Sequence, residues 1–328
     1  MKVLVTGGAG FIGSTVVSAC LDAGLDAVVL DDLSKGRPEY VSGRPFYKGS
    51  VGDHELVERV FEENPDIDTV IHCAARIVVP ESVGDPEGYY SNNVGQGLEF
   101  LRTLEQLGCR NFIFSSSGSI YAPDAGFSVD EASQLDAHSP YSRTKVMFEW
   151  ILEDCAAAGH INVISLRYFN PIGCDPKMRT GLQDPAPTHV LGKLIEAYDN
   201  NAPFTVTGVD WPTRDGSAIK DYIHVWDLAR AHVAALERIR RAPASYEVIN
   251  LGTGRGTTVR ELVAAFENVT GRPLPVTEAP PRPGDVVGCY TRSDRAKSLL
   301  GWTSESSIED GIRDSMAWAK RRPSVLGR

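Results

Sequence analysis

The 328-residue chain has 42% hydrophobic and 23% charged residues, enough apolar side chain to bury the core of two ordinary domains or one large α/β unit with a cap, which excludes a disordered chain. Its net charge of −10 and pI near 5.3 exclude nucleic acid as the main partner, because a phosphate backbone requires a basic face, whereas a small phosphorylated ligand needs only a few local cations. The six cysteines and seven histidines show no C-x-x-C, H-E-x-x-H or other metal-ligand spacing, and no apolar run reaches membrane-spanning length, so the expectation is a cytoplasmic protein with free thiols, no bound metal and no membrane partner.

The chain opens directly on a strand pattern, VLVT (residues 3–6), without a signal-peptide core before it. Further β-branched runs follow at AVVL (27–30), TVIH (69–72), FIFSS (112–116) and NVISL (162–166). Between them lie helix-period stretches: FIGSTVVSACLDAG, HELVERVFEEN, GLEFLRTLEQLG and SRTKVMFEWILEDCAAAG. Nearly continuous apolar strands alternating with helices predict an α/β fold, a doubly wound parallel sheet of the Rossmann type covered on both faces. Ligands of such sheets bind beyond the carboxyl ends of the strands. After residue 170 the pattern breaks into Pro- and Gly-rich segments with helices at HVLGKLIEAYDN and WDLARAHVAALERIRR. Residues 1–170 are therefore expected to form a dinucleotide-binding domain, and 171–328 a smaller, mixed substrate-binding domain with some strands and helices returning to the first.

TGGAGFIG (6–13) follows the first strand and opens the first helix, with Gly7, Gly10 and Gly13 at three-residue spacing. Glycines there allow a tight turn and bring main-chain N–H groups and a helix N-terminus close to a pyrophosphate. Asp31 ends the second strand, eighteen residues past Gly13. A carboxylate at that point accepts hydrogen bonds from the adenosine ribose and repels a 2′-phosphate, which selects NAD over NADP. The alternative is a mere turn, with Asp31 and Asp32 as solvated loop acids.

PYSRTK (140–145) sets Tyr141 and Lys145 four residues apart, on one face of a helix. Upstream, the strand ending in SSSGSIYA offers Ser115, Ser116, Ser117 and Ser119 at the carboxyl edge of the sheet. A free phenol ionises near pH 10, so holding it half-ionised at neutral pH costs about 4 kcal/mol. A nearby ammonium together with a positively charged nicotinamide would supply this. Tyr141 is then the base, Lys145 its electrostatic support and the anchor of the nicotinamide ribose, and Ser117 the hydroxyl that relays or orients the proton. Without that context, Y-x-x-x-K is more often two solvated residues on a surface helix.

TGGAGFIG, LDDLS (30–34), NNV (92–94), SSSGSIY, PYSRTK, LRYFNPIG (166–173) and DGSAIKDYIHVWDLA (215–229) together resemble the UDP-glucose 4-epimerases of the extended short-chain dehydrogenase/reductase family. The similarity runs in order to about residue 318, with NLGTGRGTTVRELV and PRPGDV in register. It implies a tightly held NAD, a homodimer packed through helices, and interconversion of UDP-glucose and UDP-galactose. It also implies cofactor contacts from Phe11, Ile12, Asp32, Ser34, Ser50, Val51, Ala74, Ala75, Asn93, Ser115 and Tyr168 besides the glycines, Asp31, Tyr141 and Lys145. On the substrate side it implies Ser117, Ser119, Tyr141, Asn170, His189, Val190, Lys220 and Cys289, with Arg282 and Asp285 holding the UDP diphosphate and ribose. A guanidinium fork suits a phosphate and a carboxylate suits ribose hydroxyls, although Arg282 and Asp285 equally fit a surface ion pair.

Departures from the family pattern are Lys220 in place of an arginine, Ser50 in place of an aspartate that contacts adenine, and Ile77 beside Arg76 in place of a lysine. Cys289 falls where some relatives carry a tyrosine that closes the sugar pocket. A thiol there leaves room for an N-acetyl group, so UDP-N-acetylhexosamines are expected substrates too, unless Cys289 is an ordinary buried thiol and neighbouring Tyr290 is the gate. The alternatives are a 4-epimerase of another UDP-sugar (a uronate or pentose), a nucleotide-sugar 4,6-dehydratase, and a non-catalytic NAD-binding sensor. A dehydratase needs an acid pair just after the active-site hydroxyl, where this chain has Gly118 and Ser119.

Overall fold

Strand β1 (Lys2–Thr6) lies inside a seven-stranded parallel sheet completed by β2 (Asp26–Asp31), β3 (Phe46–Lys48), β4 (Ile67–His72), β5 (Asn111–Ser115), β6 (Asn162–Tyr168) and β7 (Tyr246–Leu251). The order is β7-β6-β5-β4-β1-β2-β3, so the winding reverses between β1 and β4 and opens a crevice at their carboxyl ends. The computed structural model describes residues 2–122, 126–185, 187–243, 245–281 and 286–327.

Side chains alternate across the sheet. Val3, Val5, Val29, Ile71 and Ile113 face one way, against helices α1 (Phe11–Asp22) and, from the second half of the chain, Leu228 and Leu236. Leu4, Val28, Val70 and Phe112 face the other way. There they meet α2 (His54–Glu63), α3 (Gln96–Gln106) and α4 (Pro140–Ala157) through Val57, Phe100 and Phe148. Phe148 is wholly buried, and truncating such a ring to alanine costs roughly 3–5 kcal/mol. Helix α4 begins where it does because Ser139 accepts from the Ser142 N–H and Pro140 occupies the first turn.

In the second half, α5 (Val190–Asp199), α7 (Val259–Thr270) and α8 (Ile308–Leu326) share a separate core, in which Leu191, Leu194, Leu262, Phe266 and Ile312 pack with the strand residues Phe204 and Val206. Between α5 and α7, helix α6 (Val225–Arg241) and β7 go back to the main sheet, as do Ala296 and Trp302. Five of the seven strands coincide with the apolar runs of the sequence. The runs do not reveal β3, a three-residue strand with Lys48 in it, or β7, whose Glu247 and Asn250 break the apolar pattern. Those two polar side chains are buried with partners: Arg238 pairs with Glu247, and Tyr121 and Thr291 bond Asn250.

Candidate active site

Beyond Thr6 the chain turns at Gly7, φ +66°, whose N–H donates to the Leu30 carbonyl at 2.8 Å. A Cβ on Gly7 would lie 2.7 Å from the Ala74 nitrogen, and one on Gly13 would lie 2.2 Å from the Gly7 carbonyl oxygen. The loop can therefore close against the end of β4 only with glycine at both places. Helix α1 starts at Phe11 with Gly10 as N-cap, no capping side chain and no acid in its first turn, so the first-turn N–H groups of Phe11, Ile12 and Gly13 suit an anionic ligand.

Asp31, buried at the end of β2, accepts from the Ala9 N–H at 3.0 Å and the Leu33 N–H at 2.8 Å. Burial pushes its carboxyl above the usual range, and the Leu33 and Ala9 bonds oppose that. A carboxylate has about four acceptor positions, so two remain for ribose hydroxyls. The glycine turn, the uncapped α1 and this carboxylate fit NAD, and the Ala9 bond shows that Asp31 also holds the loop in shape. Asp32 is exposed and accepts from the Ser34 N–H at 2.8 Å. Ser50 donates to Gln96 at 2.8 Å and accepts from the Gly52 N–H at 3.0 Å, beside buried Val51. Ala74 and Ala75 follow β4, and Ala74 N–H reaches the Thr6 hydroxyl at 3.4 Å.

Asn93 sits in a single π-helical turn, Ser91–Gly95, and clamps the loop after β4 to α4: it accepts from the Arg76 N–H at 2.8 Å and donates to the Thr144 hydroxyl at 3.0 Å. Arg76 pairs with Asp85 at 2.6 Å and lies 4.5 Å over the Tyr89 ring, while Ile77 is exposed.

Ser117 lies two residues past the β5 end, with its Oγ 2.9 Å from that of exposed Ser119. Tyr141 is half-buried on the first turn of α4. Burial pushes its phenol up, while a hydrogen bond with the Ser117 side chain pulls it down. Lys145, one turn further and buried, donates to the Ser115 carbonyl at 2.8 Å and lies 4.7 Å from the Phe114 ring centroid and 6.0 Å from that of Tyr141. Burial draws its ammonium down to about 8. In the chain by itself the tyrosine thus stands above its ordinary value, because desolvation outweighs the Ser117 bond; the lowering expected from the sequence rests on the ammonium together with a bound nicotinamide cation. The Ser115 hydroxyl points into the core, to His232 at 2.9 Å and Cys73 at 3.1 Å, so this residue offers the site its carbonyl. Tyr168 packs edge-on to His232 at 6.1 Å.

On the substrate side, Gly118 lies under the Phe169 ring, where a Cβ would meet Cε1 at 2.5 Å. Asn170 donates from its side chain to the Asp221 carbonyl at 3.1 Å. Cys289 is buried among Ile120, Tyr121 and Val146 with Phe169 against them, and burial pushes its thiol to about 11. Tyr290 lies instead over Gly256, so of the two neighbours Cys289 is the one that faces the serine loop. Lys220 is half-buried and runs along Gly288. His189, with Val190 after it, is the N-cap of α5, accepting from the Gly192 N–H at 3.2 Å. Arg282 and Asp285 lie outside the described residues. Among the described residues no cluster could hold a metal ion and no helix is long and apolar enough to cross a membrane.

The sequence reading missed Glu149 and Arg167. Glu149, one turn past Lys145, accepts from the Ser116 hydroxyl at 2.5 Å and from the Nε and Nη2 groups of the buried Arg167 guanidinium. The signal was available: Tyr141, Lys145 and Glu149 are successive four-residue steps on one helix face, and Arg167 is a charge inside a strand whose neighbours are apolar.

The profile of the NAD dependent epimerase/dehydratase family matches residues 3–252. A UDP-glucose 4-epimerase of Azospirillum brasilense is 40% identical over 330 residues, covering 100% of this chain and 94% of that protein. A UDP-glucose 4-epimerase from Stenotrophomonas maltophila, solved with NAD and formylated UDP-arabinopyranose, superposes with a TM-score of 0.94 at 33% identity, covering 99% of each chain. The Bifidobacterium longum UDP-glucose 4-epimerase, solved with NAD+ and UDP, gives 0.90 at 36% identity, covering 99% of this chain and 100% of that one. With a family profile matched over residues 3–252 and full-length similarity to these proteins, on a fold that sets a glycine turn at the sheet's switch point and a Tyr–Lys pair beside a serine-ended strand, the chain belongs to the NAD dependent epimerase/dehydratase family.

Proposed function

We propose that this chain is an NAD-dependent UDP-hexose 4-epimerase that interconverts UDP-glucose and UDP-galactose. The observation that carries this is the placement of Tyr141 and Lys145 on one face of α4 against Ser115 and Ser117, beside the glycine cradle, in a chain similar to UDP-glucose 4-epimerases over its full length. NAD, when bound, supplies a reversible hydride acceptor at carbon 4. Tyr141 takes the proton of the carbon-4 hydroxyl, with Ser117 orienting that hydroxyl, and gives it back once the keto sugar has turned over. Lys145 favours the phenolate by its charge. Gly118 speaks against a dehydratase: an acidic side chain there would collide with the Phe169 ring.

In the same reading residues 1–170 carry the cofactor and 171–328 the UDP-sugar, with Asn170, His189, Lys220, Arg282, Asp285 and Cys289 along it. The enzyme works as a cytoplasmic homodimer packed through helices, and exposed Met147 and Trp150 on α4 suit that contact. The test is conversion of UDP-galactose by purified protein, followed by product separation. UDP-glucose should form without net NADH, and Tyr141→Phe should lose more than about 100-fold in turnover while still binding UDP. Near wild-type turnover in that variant would remove Tyr141 from its role, and no conversion by the wild type would remove the epimerase reading itself.

A further inference from the structure

A continuous buried chain of polar contacts starts at the catalytic serine loop and ends at the strand beside Cys289. The Ser116 hydroxyl donates to Glu149 on α4, and Glu149 pairs with Arg167 on β6. Arg167 donates to the Tyr121 hydroxyl at 2.8 Å, and Tyr121 donates to Asn250 at 2.7 Å. Asn250, on β7, donates to the Thr291 hydroxyl at 2.9 Å. The Thr291 N–H donates in turn to Asp221, next to Lys220. Ser116 precedes Ser117, Thr291 follows Cys289 by two residues, and Tyr121 closes the loop that Ser117 opens.

A buried ion pair is an expensive way to stabilise a fold, since well-packed apolar residues do as well, but it fixes geometry because each partner is intolerable without the other. We infer that Glu149 and Arg167 are positioning residues, which hold the serine loop and the Lys145 side chain on one side, and the strand at Cys289 on the other, in a fixed relation. This inference rests on the epimerase reading for its kinetic arm only.

The groups facing the Lys145 ammonium are His72 from β4 and Cys73 just after it, the Phe114 ring and Ser115 carbonyl from β5, and Tyr141 and Glu149 from its own helix. The β6 residues next to this group are Arg167, engaged by Glu149, and Tyr168, beside Cys73 and Tyr141. Glu149 supports the charged lysine against burial. Replacing it by glutamine keeps the shape and removes the charge, so the lysine should lose its proton at lower pH.

Three variants test this. Ser116→Ala cuts the loop from Glu149 and leaves the ion pair whole, so turnover should fall ~10-fold with KM within about twofold of wild type. Tyr121→Phe cuts the chain midway, so KM for UDP-galactose should rise ~10-fold with turnover little changed. Glu149→Gln should lower the Lys145 titration midpoint by roughly half a pH unit or more, read from the lysine ε-carbon by NMR in the folded protein and independent of any turnover. A purely structural pair would lower melting temperature in all three variants, with per-site kcat and KM as in wild type and the lysine titration unmoved in Ser116→Ala, and that result would overturn the inference. If Glu149→Gln does not fold, the split between Ser116→Ala and Tyr121→Phe decides. If the wild type does not epimerise, the lysine titration in Ser116→Ala, which keeps every charge in place, decides: a shift supports positioning, and its absence overturns it.

Discussion

The Lys145 ammonium is 2.8 Å from the Ser115 carbonyl oxygen, so the residue proposed to favour the Tyr141 phenolate is tied to the end of the strand that leads to Ser117. The bond spends one of three ammonium donors and leaves two for a ribose and the tyrosine. Lys145→Met should lower turnover about 100-fold or more, and Lys145→Arg should not restore it, because a planar guanidinium cannot reproduce a point donor in this buried space. With the ammonium at about 8, wild-type turnover should decline as pH rises past that value, as the lysine loses its charge. A pH–rate profile with UDP-galactose tests this; a flat profile from pH 7 to 9.5 contradicts it.

Asp31 carries a second prediction. Asp31→Asn removes the charge that repels a 2′-phosphate and puts an amide donor in contention with the Ala9 N–H. NAD should wash out of the purified variant more readily, and the preference for NAD over NADP should shrink by at least ~10-fold. Cofactor content after gel filtration and reconstitution with either dinucleotide measure both effects. Unchanged preference would assign Asp31 to loop shape alone.

A third prediction concerns breadth of substrate. Since the Cys289 thiol, and not the Tyr290 ring, lies with Ile120 and Tyr121 of the serine loop, wild type should epimerise UDP-N-acetylglucosamine and UDP-N-acetylgalactosamine besides the plain UDP-hexoses. Cys289→Tyr should abolish the acetylated activity and keep most of the plain one. Parallel loss of both, or a wild type silent on acetylated sugars, counts against the thiol as gate. A melting curve of the variant separates pocket closure from misfolding.

Stability should fall on the acid side. Burial holds His72 down to about 3 and His232 to about 4, against about 6.5 in the unfolded chain. Between those values the unfolded state binds the extra protons, so each histidine removes about 1.4 kcal/mol per pH unit as pH falls below about 6.5. Asp221 acts in the opposite sense: burial raises it to about 6, the folded state binds its proton first, and it offsets one of the two histidines between there and about 4. Urea midpoints from pH 7 to 4.5 should therefore decline, and His72→Phe, which places a ring among Phe100, Phe112, Phe114 and Phe148, should lessen the slope by about one proton. An identical slope in the variant would show that His72 is not the titrating group.

The glycine turn, Asp31, and the Tyr141–Lys145 pair were legible in the sequence because each depends on near neighbours in the chain. A strand-to-helix turn needs its glycines at fixed spacing, and a helix sets residues four apart on one face. The five apolar strands were legible for the same reason, since burial on both faces leaves an unbroken run of hydrophobic residues. What tertiary structure alone decided depends on residues far apart in the chain. Strand β7 joins the sheet although Glu247 and Asn250 interrupt its pattern, because Arg238, Tyr121 and Thr291 come from elsewhere to satisfy them. Lys145 bonds to the Ser115 carbonyl and the Tyr141 phenol stands above its free value, because desolvation is a property of the assembled interior and not of the Y-x-x-x-K spacing. The partnership of Glu149 with Arg167, and the packing of Cys289 rather than Tyr290 against the serine loop, arise in the same way: helix α4, strand β6 and the residue 290–291 strand meet only when the sheet is wound.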